Sequence, residues 1–134
     1  MALPLPQRTQ ANTRAEHLAD HNDIHEWIDE VYLVVPNTQT ANYILTVDDV
    51  YRQVRMNLAG ANTLTFPPDA DQAIPVNAYG EGVQLGAGQT TLTPGAGVAL
   101  LSAGGRLKTT EQYSSFTWTK TAANTFLISG DLSA

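Results

Sequence analysis

His17, His21 and His25 recur at four-residue intervals, a spacing that lines three imidazoles along one side of an α-helix, with Asp20 and Asp23 in the same stretch. The chemistry this suggests is metal binding, because an i, i+4 histidine pair holds zinc or nickel when a third ligand converges. The first and third rings lie two turns apart, about 12 Å, and do not share one ion within a chain. If three helices associate, His21 instead forms a ring about the common axis that could hold an ion or an anion. The stronger reading is a polar layer in a helix seam, which sets register and oligomeric state at some cost in stability. The HExxH signature is absent, and neither a metal nor a cofactor is expected.

Other constellations are weaker. The run GAGQTTLTPGAGVALLSAGG lacks the G-x-x-x-x-G-K-[ST] pattern and reads as turns among strands, with no helix start to receive phosphate. Asp48, Asp49, Asp69, Asp71, Glu81, Glu111 and Asp131 all stand beside turn residues or a terminus, as solvated loop acids do, and no pair is marked out for glycoside hydrolysis. A Ser/His/Asp triad finds no support, since every histidine falls on one proposed helix, and Ser114, Ser115 and Ser129 have no nucleophile elbow. Tyr43, Tyr51, Tyr79, Tyr113, Phe116 and Trp118 could offer a sugar-stacking surface, although alternation within strands favours core or subunit contacts. A non-enzymatic protein is expected.

The segment that must position the histidines, Thr13 to Tyr32, carries a heptad stripe. Arg14, His21 and Ile28 fall at a, His17, Ile24 and Val31 at d, Leu18, His25 and Tyr32 at e, and Trp27 at g. Glu16, Asp23, Glu26, Asp29 and Glu30 occupy the opposite face, and only Asp20 approaches the seam. Thr13 and Glu16 have capping-box spacing, and Pro36 disfavours helical geometry at Val35. A helix over residues 13–35 is therefore predicted, with His17, Leu18, His21, Ile24, Trp27, Ile28, Val31 and Tyr32 as an oligomer seam. Isoleucine at both a and d favours trimers or higher states. So short a coiled coil needs support from the rest of the assembly; the competing arrangement packs the helix on the β-region of its own chain. Before it, residues 1–12 contain Leu3, Pro4, Leu5 and Pro6 and are expected to form an extended arm able to dock on a neighbour.

After a linker or turn at PNTQTAN, the period becomes strand-like. Tyr43, Leu45 and Val47 alternate with Ile44 and Thr46, and in YRQVRMNL one face carries Tyr51, Gln53, Arg55 and Asn57 and the other Arg52, Val54, Met56 and Leu58. Shorter strands follow, separated by AGAN, PPDAD, GAGQ, PGAG and AGG, and two longer ones close the chain around TAAN. No internal repeat is convincing. The predicted fold class is α+β and mainly β: an extended arm, one long helix, and an antiparallel β-sandwich or barrel of short strands over residues 38–134.

With 134 residues, the chain suits one compact domain with an appended element. A net charge of −6 and only seven Lys and Arg leave little scope for counterion release from phosphates, so nucleic acid is not an expected partner. The absence of cysteine removes disulfides, thiol nucleophiles and thiolate metal sites. No apolar run approaches the ~20 residues that span a bilayer, and MALPLPQRTQANTR lacks the pattern of a signal peptide. A soluble product of the cytoplasm is the expectation, with no membrane partner.

The blocks TANYILTVDDVYRQVRMN (40–57), ANTLTFPPDADQAIPV (61–76), VQLGAGQTTLTPGAGVALLSAGG (83–105) and QYSSFTWTKTAANTFLISGDL (112–132) together resemble a domain of tailed-bacteriophage structural proteins, found in tail fibres, minor tail proteins and small head-surface proteins. NAYGEG at 77–82 departs from it, where a Gly-Thr turn is the family expectation. The resemblance covers about two thirds of the chain and implies a virion structural role, usually as a homotrimer, with no catalytic residues to carry over. On that basis the leading expectation is a capsid decoration or head-fibre protein bound to the major capsid protein. The alternative is a small tail-fibre or minor tail protein that contacts other tail proteins and a host surface glycan.

Overall fold

The computed structural model describes residues 33–134. Strands make up 47% of them and helical turns 6%, so this part of the chain is built on sheets. One compact unit spans Val35–Ala134. Its strands are β1 (Pro36–Gln39), β2 (Tyr43–Ile44), β3 (Gln53–Met56), β4 (Asn62–Phe66), β5 (Tyr79–Gln84), β6 (Thr90–Pro94), β7 (Ala99–Ser102), β8 (Lys108–Thr109), β9 (Ser115–Ala122), β10 (Thr125–Gly130) and β11 (Leu132–Ser133).

Two sheets result, a larger one in the order β1-β3-β5-β9-β10-β7 and a smaller one in the order β11-β8-β6-β4-β2. The first six strands alternate between them. β1, β3 and β5 stack in parallel in the larger sheet, and β2, β4 and β6 stack in parallel in the smaller one. The chain thus winds through three turns of a flattened coil. Only then does it reverse, β9 running antiparallel to β5 and β8 antiparallel to β6.

This corrects the expectation of an antiparallel sandwich: both sheets are mixed. Alternation of side chains marks a strand and its buried face but carries no information about the direction of its neighbour. The short links at residues 40–42, 57–61 and 85–89 look like hairpin turns in sequence, yet each carries the chain across to the opposite sheet. Strands adjacent in sequence therefore face each other across the core. PNTQTAN, expected as a linker, supplies β1 and leads into β2.

The α+β class is corrected as well. Among the described residues there is no helix of seven or more residues, only the 3-10 turns Val47–Asp49 and Ala103–Gly105. Of the predicted helix 13–35, residues 33–35 are non-helical and lead directly into β1. Pro36 constrains the residue before it to extended geometry, and the two valines at 34 and 35 prefer it. Residues 13–32, with the heptad stripe, lie outside the described residues.

Packing between the sheets explains the sequence. Val54, Met56, Phe116, Trp118, Phe126 and Ile128 point inward from the larger sheet, against Leu64, Phe66 and Leu92 of the smaller one. Phe66, Trp118 and Phe126 form a mutual cluster with ring centroids 5.1 to 6.2 Å apart, the edge-to-face and tilted arrangements that aromatic quadrupoles favour. Gly80 and Gly82, in NAYGEG, lie opposite Trp118 and Phe116 on β9. A Cβ at either glycine would overlap those rings, so the bare backbone is the floor on which they rest.

Most buried polar side chains are bonded to something; among the described residues the exceptions are Ser102 Oγ and Trp118 Nε1. Thr90 Oγ1 donates to Asn62 Oδ1 at 2.7 Å, and Thr109 Oγ1 donates to Gln84 Oε1, which links the smaller sheet to the larger. Each of the two longer returns from the smaller sheet to the larger is anchored by a buried charged residue, the first by one of its own and the second by one from β9. In residues 45–52, Asp49 is only 1% exposed and accepts from Asn37 Nδ2 at 2.7 Å, Tyr43 Oη at 2.8 Å and the Thr46 amide at 2.9 Å, tying β1 and β2 to the return itself. In residues 67–78, Lys120 reaches across from β9. Also 1% exposed, it donates to Asp69 Oδ1 at 2.5 Å and Ile74 O at 2.7 Å while its Nζ lies 5.4 Å from the Phe126 ring centroid. Asp69 and Asn124 complete the anchor through reciprocal backbone-to-side-chain hydrogen bonds.

Candidate functional site on the outer face of the larger sheet

The inward faces are consumed by packing, which leaves the outer face of the larger sheet as its candidate working surface. Strand register arranges that face in rows. One row runs Gln53, Glu81, Thr117, Ser129 across β3, β5, β9 and β10, and the next runs Tyr79, Thr119, Leu127, Leu101 across β5, β9, β10 and β7. The rows differ in chemistry at their two ends.

At the β3–β5 end the side chains form a bonded polar chain. Arg55 Nε donates to Gln53 Oε1 at 2.8 Å, Gln53 Nε2 approaches Glu81 Oε2 at 3.5 Å, and Tyr79 Oη donates to Glu81 Oε1 at 2.8 Å. The hydrogen bond to the Glu81 carboxylate, aided by partial burial and by the negative charge itself, raises the Tyr79 phenol above its ordinary range, so it remains a donor. Tyr51 stands beside it. Its backbone is left-handed, with φ of 62°, and is pinned by a hydrogen bond from its amide to Tyr79 O at 2.7 Å. That conformation costs about 1–3 kcal/mol in a residue other than glycine. It presents the Tyr51 ring, 74% exposed, at 6.5 Å from the Tyr79 ring centroid and 42° from its plane.

At the β10–β7 end the row is apolar. Leu127 and Leu101 are register partners and are 48% and 49% exposed. One strand lies between Tyr79 and Leu127, a distance of about 10 Å, and two lie between Tyr79 and Leu101, about 14 Å.

The aromatics singled out in the sequence are thus sorted by the fold. Phe116 and Trp118 belong to the core, and Tyr43 is half-buried with its hydroxyl on Asp49, burial being the first cause and that hydrogen bond the second of its raised phenol. Tyr51 and Tyr79 meet on the outer face. Tyr113 is exposed near the far end of β5, where its amide bonds to Gln84 O. Alternation correctly separated Gln53 and Arg55 from Val54 and Met56. It gave no sign of the Tyr51 conformation, because nothing in a tyrosine codon neighbourhood marks a positive φ as Asn-Gly does.

The predicted seam residues His17, Leu18, His21, Ile24, Trp27, Ile28, Val31 and Tyr32, the arm residues Leu3, Pro4, Leu5 and Pro6, and the metal candidates His17, His21 and His25 lie outside the described residues. Among the described residues, no group of three or more His, Asp or Glu side chains is gathered for a metal ion. Comparison with protein-family models, with curated proteins and with solved structures gave no match.

Proposed function

We propose that this chain is a non-enzymatic structural protein of a tailed-bacteriophage virion: a homotrimeric decoration or head-fibre protein that binds the assembled shell and displays its β-domain. The observation that carries the assembly part is the Leu127–Leu101 pair. Two large aliphatic side chains stand adjacent and about half exposed on the outer face, beside Thr119 in their own row and next to the row of Thr117 and Ser129. Burying such a pair against another copy or the shell removes apolar surface from water at roughly 25 cal/mol per Å². The virion part is supported by the resemblance of residues 40–57, 61–76, 83–105 and 112–132 to phage structural domains, and by a surface poor in charge, with 15% charged residues in the whole chain.

Imaging virions assembled with and without the protein tests the reading. Density lost from the capsid surface on deletion supports decoration, and loss confined to the tail eliminates it. Light scattering on purified protein tests the trimer, for which about three times the 14.4 kDa chain mass is expected.

A further inference from the structure

We propose that Tyr51, Tyr79, Glu81, Gln53 and Arg55 form a binding subsite for a carbohydrate, a neutral pyranose stacked on the tyrosine pair with its hydroxyls on the polar chain beside it. The inference does not depend on where the protein sits in an assembly. Three observations carry it. The first is the backbone of Tyr51: a left-handed tyrosine is unfavourable, and this one buries little by being so, since its ring is mostly exposed. Tyr113 shares the left-handed backbone and the exposure, but it is Tyr51 that stands beside a second tyrosine and a bonded polar chain, and strain at such a place is the pattern found at ligand clamps. The second is the ring pair. At 6.5 Å and 42°, the two rings form an open angle and not a closed stack, leaving aromatic face available to the C–H face of a sugar ring.

The third is the composition of the adjoining chain. A sugar hydroxyl both donates and accepts, so its recognition needs both kinds of group side by side. Glu81 supplies carboxylate acceptors, Gln53 an amide with both functions, and Arg55 a planar fork of donors. Their mutual hydrogen bonds hold them in one arrangement before any ligand arrives, which lowers the ordering cost of binding. A nucleobase would also stack on tyrosine, but a chain of net charge −6 works against its phosphates. A quaternary ammonium would suit the rings and Glu81, yet it has no use for the guanidinium two residues from Gln53.

The test uses the full chain and saturation-transfer NMR with four probes: maltohexaose, cellohexaose, mannohexaose and chitohexaose. Transfer to the ring C–H protons of at least one hexaose is expected, with affinity weakened about tenfold or more in Tyr51→Gly. Because glycine accepts a positive φ freely, Tyr51→Gly should melt no lower than the parent, which separates loss of binding from loss of fold. Glu81→Gln, which keeps the shape and removes the charge, should weaken binding several-fold and decides the matter if the glycine variant folds poorly. Tyr113→Ala should bind as the parent does. The proposal is overturned if no hexaose shows transfer, if Tyr51→Gly and Glu81→Gln bind undiminished, if Tyr113→Ala loses binding equally, or if choline binds at Tyr51 and the hexaoses do not.

Discussion

Gly80 on β5 is the register partner of Trp118 on β9, and the indole lies where a Cβ on residue 80 would project. The largest side chain in the core is therefore accommodated by the smallest residue on the neighbouring strand. Replacing Gly80 by alanine forces the ring away from Phe66 and Phe126 and should destabilise the protein by about 1–3 kcal/mol, read from the midpoint of urea unfolding. The strain should be specific to the pair. In the Gly80→Ala background, Trp118→Leu should cost less than in the parent, with a coupling on the order of 1 kcal/mol in a double-mutant cycle.

Asp49 is the fixed point of the first turn of the coil. Asp49→Ala removes the acceptor shared by the Asn37 amide, the Tyr43 hydroxyl and the Thr46 amide at a part-buried site, and should cost about 1–3 kcal/mol. Tyr43→Phe removes one donor of several, the Thr46 hydroxyl among them, and should cost only about 1 kcal/mol. Equal losses in the two variants would show that the carboxylate is not the shared partner.

Lys120 and Asp69 give a signed pH dependence. The hydrogen bond from Lys120 is the main cause holding the Asp69 carboxyl below its ordinary value of 3.8. The folded protein then binds fewer protons than the unfolded chain just below that value, so the contribution is complete above it and is lost as pH falls through the lowered folded value. Thermal melts of the parent should be insensitive to this pair between pH 5 and 8 and fall in acid, below about pH 4. Asp69→Asn should melt lower than the parent at neutral pH and lose less on acidification. Asp69→Ala, which leaves an ammonium buried without its counter-ion, should be worse tolerated than Lys120→Met, which fills the slot beside Phe126 with a neutral chain.

Leu101→Lys and Leu127→Lys place charges on the apolar end of the outer row. Both residues are half-exposed, so folding should change by less than about 0.5 kcal/mol. Assembly should weaken, and light scattering of the double variant should give the mass of a single chain. A full-mass oligomer would show that other surfaces hold the copies together.

Within the described residues, the strand content and the buried faces of several strands were legible, and the arrangement was not. Val54, Met56, Phe116 and Trp118 betray their inward faces by alternation with Gln53, Arg55, Thr117 and Thr119. β1 escaped because Pro36, Asn37 and Thr38 read as turn residues, whereas here the proline opens an edge strand, where its missing N–H costs nothing. The coil was invisible to a search for repeats. Its turns are stacked by backbone register, and their returns differ in length and in anchor, Asp49 in one and Lys120 with Asp69 in the other. Lys120 has the least legible role of all, because a lysine in SFTWTK reads as the exposed end of a strand until the loop it holds is known.

A parallel coil has no intrinsic length: its last turn offers the same template as its first, and another turn could always be laid down. β8 and β9 change that at β6 and β5, because a strand running the other way supplies the pairing groups without continuing the winding. They act as a terminator written into topology. Any lengthening of the coil by duplication would have to enter upstream of β5, and a chain with one more turn would be taller by the inter-strand spacing, about 4.8 Å; entering upstream of β3, it would leave Tyr51 and Tyr79 side by side, whereas between β3 and β5 it would part them.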